Sequence, residues 1–271
     1  MTAPRIELTG IYIYPVKSLR GVRLEDAPLE NGRLVGDRNW LLVDSFGRFM
    51  HQRDYAQMTR VEARITPGGI VVRTDGLSAL EIERPDFSRI STDTITHVRL
   101  WRRSAPVIAV GREADAWFTR ALGVPCRLMA FVPGAAALNV PSYEIHSSLQ
   151  DATSFHLTAE ESLADLNARM AAPIPMNRFR PNLVVRGAAP YAEDDWKTIA
   201  IGETTLRWIK PCTRCVATTT DQETGERSSR DPLLTLARYR RVGPEVAFGH
   251  YLAPETWGER LRVGDRVTVL D

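Results

Sequence analysis

Residues 197–220 read KTIAIGETTLRWIKPCTRCVATTT. Isoleucine, threonine and tryptophan crowd 197–209, the residue types that suit a pleated, half-buried surface, so the run is expected to be a strand. Three threonines and a valine follow Cys215. β-Branched side chains lose rotamer freedom against the preceding helical turn, so this stretch is expected to stay extended as well. In an extended chain an offset of three puts Cys212 and Cys215 on opposite faces, and only one sulfur can then face a given pocket.

The same signal recurs along the chain, at 6–16, 39–45, 68–74, 97–103, 106–111, 126–131, 182–187 and 265–271. Many short strands broken by glycine turns predict β-barrels or sandwiches. Helices are few. Ala114, Trp117, Phe118 and Leu122 recur at helical spacing before a Gly123 and Pro125 stop, which predicts a helix over 112–122. Thr158 and Glu161 match a capping box that opens a helix over 158–170, with Leu163, Leu166 and Met170 as its apolar stripe. Asp231 and Pro232 read as the cap and first residue of a third helix, PLLTLARYRR. The chain divides near the first helix, into 1–120 and 121–271, with a surface loop expected at 133–142.

At 271 residues, 44% apolar and 25% charged, the composition is that of a globular protein. Its 35 basic and 33 acidic side chains leave a net charge of +2 and are well mixed. No global field favours nucleic acid, so any anion site must be local. The start, MTAPRIELTG, has no basic segment followed by an apolar one, and no apolar run is long enough to span a bilayer. Three cysteines, Cys126, Cys212 and Cys215, are too few and too odd in number for a secreted disulfide scaffold, which points to the cytoplasm.

Four readings of the cysteine pair stand on its own residues. A structural zinc wants about four ligands, normally from two spaced pairs, and only one pair exists. A thioredoxin-like disulfide wants its first cysteine at a helix N-terminus, which VATTT disfavours. The other two are a single ligand with a bystander, and two buried small hydrophobes.

Five further segments change the balance: YPVKSLRG (14–21), GDRNWLLVD (36–44), DATSFHLTAEESLADLN (151–167), NRFRPNLVVRG (177–187) and RVGDRVTVLD (262–271). With KPCTRCVATTTDQETGERS they resemble the MOSC family, named for the C-terminal domain of molybdenum cofactor sulfurases, over nearly the whole chain. The resemblance is nearest to the amidoxime-reducing component subgroup and its bacterial relatives. It implies a mainly β, α+β protein of two β-barrel-like domains, a MOSC N-terminal domain and the MOSC domain. It also implies a molybdopterin-type molybdenum cofactor between them. Cys215 of the TRC tripeptide matches the cysteine that ligates molybdenum, a soft thiolate suited to a metal already held by sulfur. Lys17, Ser18 and Arg38 match residues that hold the cofactor's phosphate end. Arg180 and Asn182 match residues near the pterin, and Asp151, Thr153 and Ser154 match a cofactor-lining loop. His250 of FGHY is either a proton donor at the site or a structural histidine, and Asp221 is expected to close a turn with Gly225.

The activity so implied is reduction of N-hydroxylated compounds: amidoximes, hydroxylamines and N-oxides. Three cysteines cannot supply both this ligand and an iron–sulfur cluster, so the electrons are expected from a separate protein, a reductase, ferredoxin-like or heme carrier. Two rivals are a molybdenum-cofactor binding or sulfur-carrier protein with a persulfide on Cys215, and an anion-binding module that uses Lys17, Ser18 and Arg38 without metal.

Overall fold

The computed structural model of the chain describes residues 5–135 and 148–271. Strand makes up 41% and helix 18%, which sets the class as mainly β. Seven strands close into a barrel. Ile6–Ile13 runs antiparallel between Leu183–Arg186 and Arg266–Val269. Round the ring, Arg266–Val269 pairs with Thr198–Ile201, that strand with Thr204–Thr213, and this one with Glu245–Thr256. Phe155–Ala159 completes the circuit, antiparallel to Glu245–Thr256 and parallel to Leu183–Arg186. Closure pairs both edges of every strand. Leu8, Ile11, Phe155, Leu157, Leu183 and Leu206 share one buried cluster. Gly249 marks a tight crossing: at φ +75°, a Cβ there would stand 2.4 Å from the carbonyl oxygen of Leu157.

The second assembly is a half-barrel of four antiparallel strands, Trp40–Asp44, Cys126–Phe131, Arg103–Ala109 and Thr96–Leu100, in that order. A three-stranded sheet, Glu62–Thr66, Gly69–Thr74 and Leu77–Glu83, packs on it with the helix Arg112–Leu122 around Ile70, Phe118 and Leu128. That helix has its expected bounds, buries Ala114, Trp117, Phe118 and Leu122, and stops at Gly123 with φ +71°.

Several local expectations are corrected by longer-range partners. The second helix is Glu160–Ala168, without a capping box. Thr158 belongs to the strand Phe155–Ala159, its hydroxyl 3.3 Å from the Met176 sulfur, while Glu161 accepts the Gly187 N–H at 2.8 Å. The third is α-helical only over Leu233–Leu236, although Asp231 does accept the Thr235 N–H at 3.0 Å. Beyond it the Arg240 carbonyl accepts from the Ala247 N–H at 2.9 Å, drawing the chain into the short strand Arg241–Val242. The run 197–209 is two strands rather than one, folded at Gly202, whose φ is +56°.

After Thr213 the chain leaves the sheet, and Val216–Thr219 forms a tight helical turn instead of a strand. The Thr218 hydroxyl donates to the Cys215 carbonyl at 2.9 Å and that of Thr219 to the Val216 carbonyl at 2.8 Å, so the threonines satisfy the turn they were expected to oppose. Most of the loop expected at 133–142 lies outside the described residues.

Candidate functional site

A cavity of about 620 Å³ lies between the half-barrel and the barrel. One wall grows from the end of the first strand. The Lys17 N–H bonds the Trp40 carbonyl at 2.7 Å and the Arg38 N–H bonds the Tyr14 carbonyl at 2.9 Å, which laces YPVKS against GDRNW. Lys17 is buried. Its ammonium donates to the Leu149 carbonyl at 2.8 Å and the Asp151 carboxylate at 2.5 Å, and lies 5.7 Å from the Phe49 ring centre. Arg103 holds the loop that supplies these acceptors, donating to the Ser148 and Gln150 carbonyls at 2.8 and 2.7 Å.

Arg38 donates to Asp37 at 2.6 Å and to the Asn182 side-chain oxygen at 3.2 Å. Arg180 donates to the Leu19 carbonyl at 2.7 Å. The two guanidiniums flank the Tyr14 ring at 4.4 and 4.2 Å from its centre. Asn182 bridges barrel strands, accepting the His156 N–H at 3.3 Å and donating to the Tyr12 carbonyl at 3.1 Å. Ser18, Arg38, Trp101 and Arg180 all line the cavity with φ between +50° and +69°, four of the six described non-glycine residues with positive φ. Each such residue costs about 1–2 kcal/mol, a strain that concentrates at functional sites.

Nine of the described lining side chains are Lys or Arg and two are acidic, a local basic excess that the net charge of the chain does not show. Burial drives the Lys17 ammonium below its ordinary pKa despite Asp151, and brings Arg180 down to about 10. Arg38 goes the other way, because Asp37 and Tyr14 outweigh its burial. Burial would raise the Asp151 carboxyl, but the Lys17 charge and hydrogen bond, with the Trp101 indole N–H at 2.8 Å, hold it well below the carboxylate range.

The cysteines part company here. Cys215 lines the cavity and is partly exposed. Cys212 is buried in the strand Thr204–Thr213, its sulfur accepting from Arg214 at 2.6 Å. Burial raises the Cys212 thiol pKa, with Arg214 opposing. They separate because the chain turns away after Thr213, not by alternation along one strand.

Of the other residues named from sequence, Asp151 and Thr153 line the cavity; Ser154 is buried and does not. His250 is also away from it: its Nδ1 accepts from the Trp208 indole N–H at 2.8 Å and its Nε2 is 2.7 Å from Asp194. Asp221 closes its turn, accepting from the Gly225 N–H at 2.9 Å through its carbonyl. Sequence reasoning passed over Trp101, Arg103, His156, Arg214 and Tyr251, all of which line the cavity. Arg214 stood inside the TRC tripeptide, His156 inside DATSFHLTAEESLADLN and Tyr251 inside FGHY; Trp101 and Arg103 stood in no quoted motif.

Barrel, basic cleft and a thiol on its wall define a β-barrel protein with a cationic cavity that carries one partly exposed sulfur. The family model of the MOSC domain matches residues 143–268, and that of the MOSC N-terminal beta barrel domain matches residues 5–125. The mitochondrial amidoxime reducing component 2 of Bos taurus is 32% identical over 282 residues, covering 96% of this chain and 82% of its own length. The mitochondrial amidoxime-reducing component 1 of Homo sapiens matches to the same extent, 32% identical with 96% and 82% covered. The molybdenum cofactor sulfurase of Oryza sativa subsp. japonica is 31% identical over 90% of this chain, but only 32% of the sulfurase is spanned. The chain belongs to the MOSC family. Among its described residues no helix is long and apolar enough to cross a membrane.

Proposed function

We propose that the protein is a molybdenum-cofactor-dependent oxidoreductase that reduces amidoximes, hydroxylamines or N-oxides with electrons from a separate carrier. The observation that carries this reading is that Cys215 lines the same cavity as Lys17, Ser18 and Arg38. The donor set fits such a cofactor. Beyond the basic excess, the Nε atoms of Arg178 and Arg214 are buried at this cavity without a hydrogen-bond partner, an arrangement that is costly unless a ligand completes it.

When bound, the cofactor would supply the two electrons that the N–O bond takes up and would receive the substrate's oxygen. Cys215 gives its metal one soft thiolate. Lys17, Ser18 and Arg38 hold the phosphate end by one ammonium, one hydroxyl and one guanidinium fork. Arg180 and Asn182 orient the pterin edge, with Asp151 and Thr153 in the adjoining loop and Ser154 turned away from it. Asp151 has a second task. Its side chain is half exposed while bonded to Lys17, so it keeps that buried ammonium compensated until a phosphate arrives. Arg214 ties Cys212 and the Phe179 carbonyl together at 2.6 and 2.7 Å, and so fixes the backbone that presents Cys215.

The test is turnover of an aryl amidoxime by molybdenum-loaded protein, with Cys215→Ser as the decisive variant. Loss of turnover with molybdenum bound in the parent supports the reading. A persulfide on Cys215 in metal-free protein, with no reduction of the amidoxime by loaded protein, would instead establish the sulfur-carrier reading.

A further inference from the structure

The turn Val216–Thr219 brings the chain from Cys215 straight to the molecular surface, where Val216 is 41% exposed. Two elements flank it. The helix Leu233–Leu236 packs on the turn and leaves Leu234 45% exposed. On the other side three chain segments lie side by side. Arg241 pairs with Val246 and Val242 with Glu245, while the Arg214 N–H donates to the Val246 carbonyl at 2.8 Å. Val242 is 42% exposed. Adjacent strands stand about 4.8 Å apart, so two spacings put the Arg241 backbone about 10 Å from that of Arg214, the residue before Cys215.

The charge around these three apolar side chains is one-sided. Between 226 and 245 the exposed basic residues are Arg227, Arg230, Arg238 and Arg241, against Glu226 and Glu245. Arg241 donates to the Ala237 carbonyl at 2.9 Å, which leaves its positive charge uncompensated. Arg240, by contrast, is neutralised by Asp194. Three exposed apolar side chains and a local excess of arginine, on segments next to the cysteine whose thiol lines the cavity, have the make-up of a transient protein-docking face.

We infer that Val216, Leu234 and Val242, ringed by Arg230, Arg238 and Arg241, form the docking face for a small acidic one-electron carrier protein that supplies the Cys215 site. This rests on the reductase reading above. Cleaving one N–O bond consumes two electrons and two protons and releases the amine and one water. Two reduced carriers must therefore dock and leave, each oxidised by one electron, per substrate. That demands fast exchange, which a small patch steered by charge provides and a large apolar interface does not.

The experiment uses molybdenum-loaded full-length protein and an aryl amidoxime, driven in parallel by an acidic [2Fe–2S] ferredoxin and by reduced methyl viologen. In Arg230→Glu/Arg238→Glu/Arg241→Glu the KM for ferredoxin is expected to rise by about tenfold or more, with kcat and the viologen rate unchanged. Leu234→Asp is expected to act in the same direction with the arginines intact. Salt should slow the ferredoxin reaction of the parent and spare the viologen reaction. An unchanged ferredoxin KM in both variants overturns the docking face, as does a parent that turns over with viologen and not with ferredoxin. Absence of viologen turnover in loaded protein instead removes the reductase reading, and the docking face with it.

Discussion

His156 and His250 occupy neighbouring strands of one barrel, His156 opposite Tyr251 and His250 opposite Leu157, and both are 4% exposed. Their surroundings teach different things. The Trp208 indole can only donate, so His250 Nδ1 is bare and its single proton sits on Nε2, facing Asp194, which Arg240 also grips with two nitrogens. Every polar atom of that imidazole has a complementary partner. His156 has a carbonyl 3.4 Å from each ring nitrogen, those of Arg180 and Phe248, yet burial and the Arg214 charge push its pKa well down. A neutral ring owns one proton for two acceptors. Burial alone does not separate a structural polar group from one at a ligand site; completeness of its partners does.

That contrast can be broken from either side. The largest effect is expected at the cavity: Cys215→Ser should lower amidoxime turnover by about 10³-fold, or about 4 kcal/mol, and leave the melting temperature within a few degrees. Cys212→Ser should do the reverse, sparing turnover. Equal turnover in the two variants would remove the thiolate assignment. Next, Asp194→Asn strips the charge partner from Arg240 and weakens the acceptor of the buried His250 Nε2–H, and should cost about 2 kcal/mol in denaturant unfolding, while molybdenum content per folded protein stays at the parent level. Loss of the metal instead would join two networks taken here as separate.

Smaller still is Arg38→Lys, which keeps the charge beside Asp37 but loses the guanidinium fork. Cofactor retention in dialysis should fall about tenfold, or about 1.4 kcal/mol, with little change in stability. The mildest effect is on acid stability. Burial opposes ionisation of Asp194, but His250 and Arg240 prevail and lower its pKa from 3.8 to about 2. A depressed carboxyl stabilises the fold above its unfolded pKa and loses that contribution as the pH falls through the folded one. The parent melting temperature should therefore drop between pH 4 and pH 2, and more steeply than that of Asp194→Asn.

How much of this was legible in the sequence depended on where each residue found its partner. The helix Arg112–Leu122 carries its period and its stop within its own residues, and its bounds are as the sequence predicts. The capping box failed because Thr158 and Glu161 each have partners far along the chain, Met176 and Gly187. The twelve-residue strand Glu245–Thr256 escaped notice since Pro254 and Gly249 interrupt its pattern, although it pairs with both Thr204–Thr213 and Phe155–Ala159. At the cavity, YPVKS and GDRNW could be singled out only as members of a family pattern. Nothing local in either says that Tyr14 lies between Arg38 and Arg180, because that sandwich joins three segments spread over more than half the chain. Trp101 and Arg103 sat inside a run that reads as strand, where a basic or aromatic residue is unremarked.

The strand Ile6–Ile13 is held on one side by Leu183–Arg186 and on the other by Arg266–Val269. A ribosome extends a chain at about 5–20 residues per second, so this segment leaves the exit tunnel roughly ten seconds or more before its neighbours exist. Its apolar residues need shelter during that wait. Lys17 and Ser18 follow directly on the same segment, so the cavity they line has its full wall only after translation has passed Tyr251, late in the life of the nascent polypeptide.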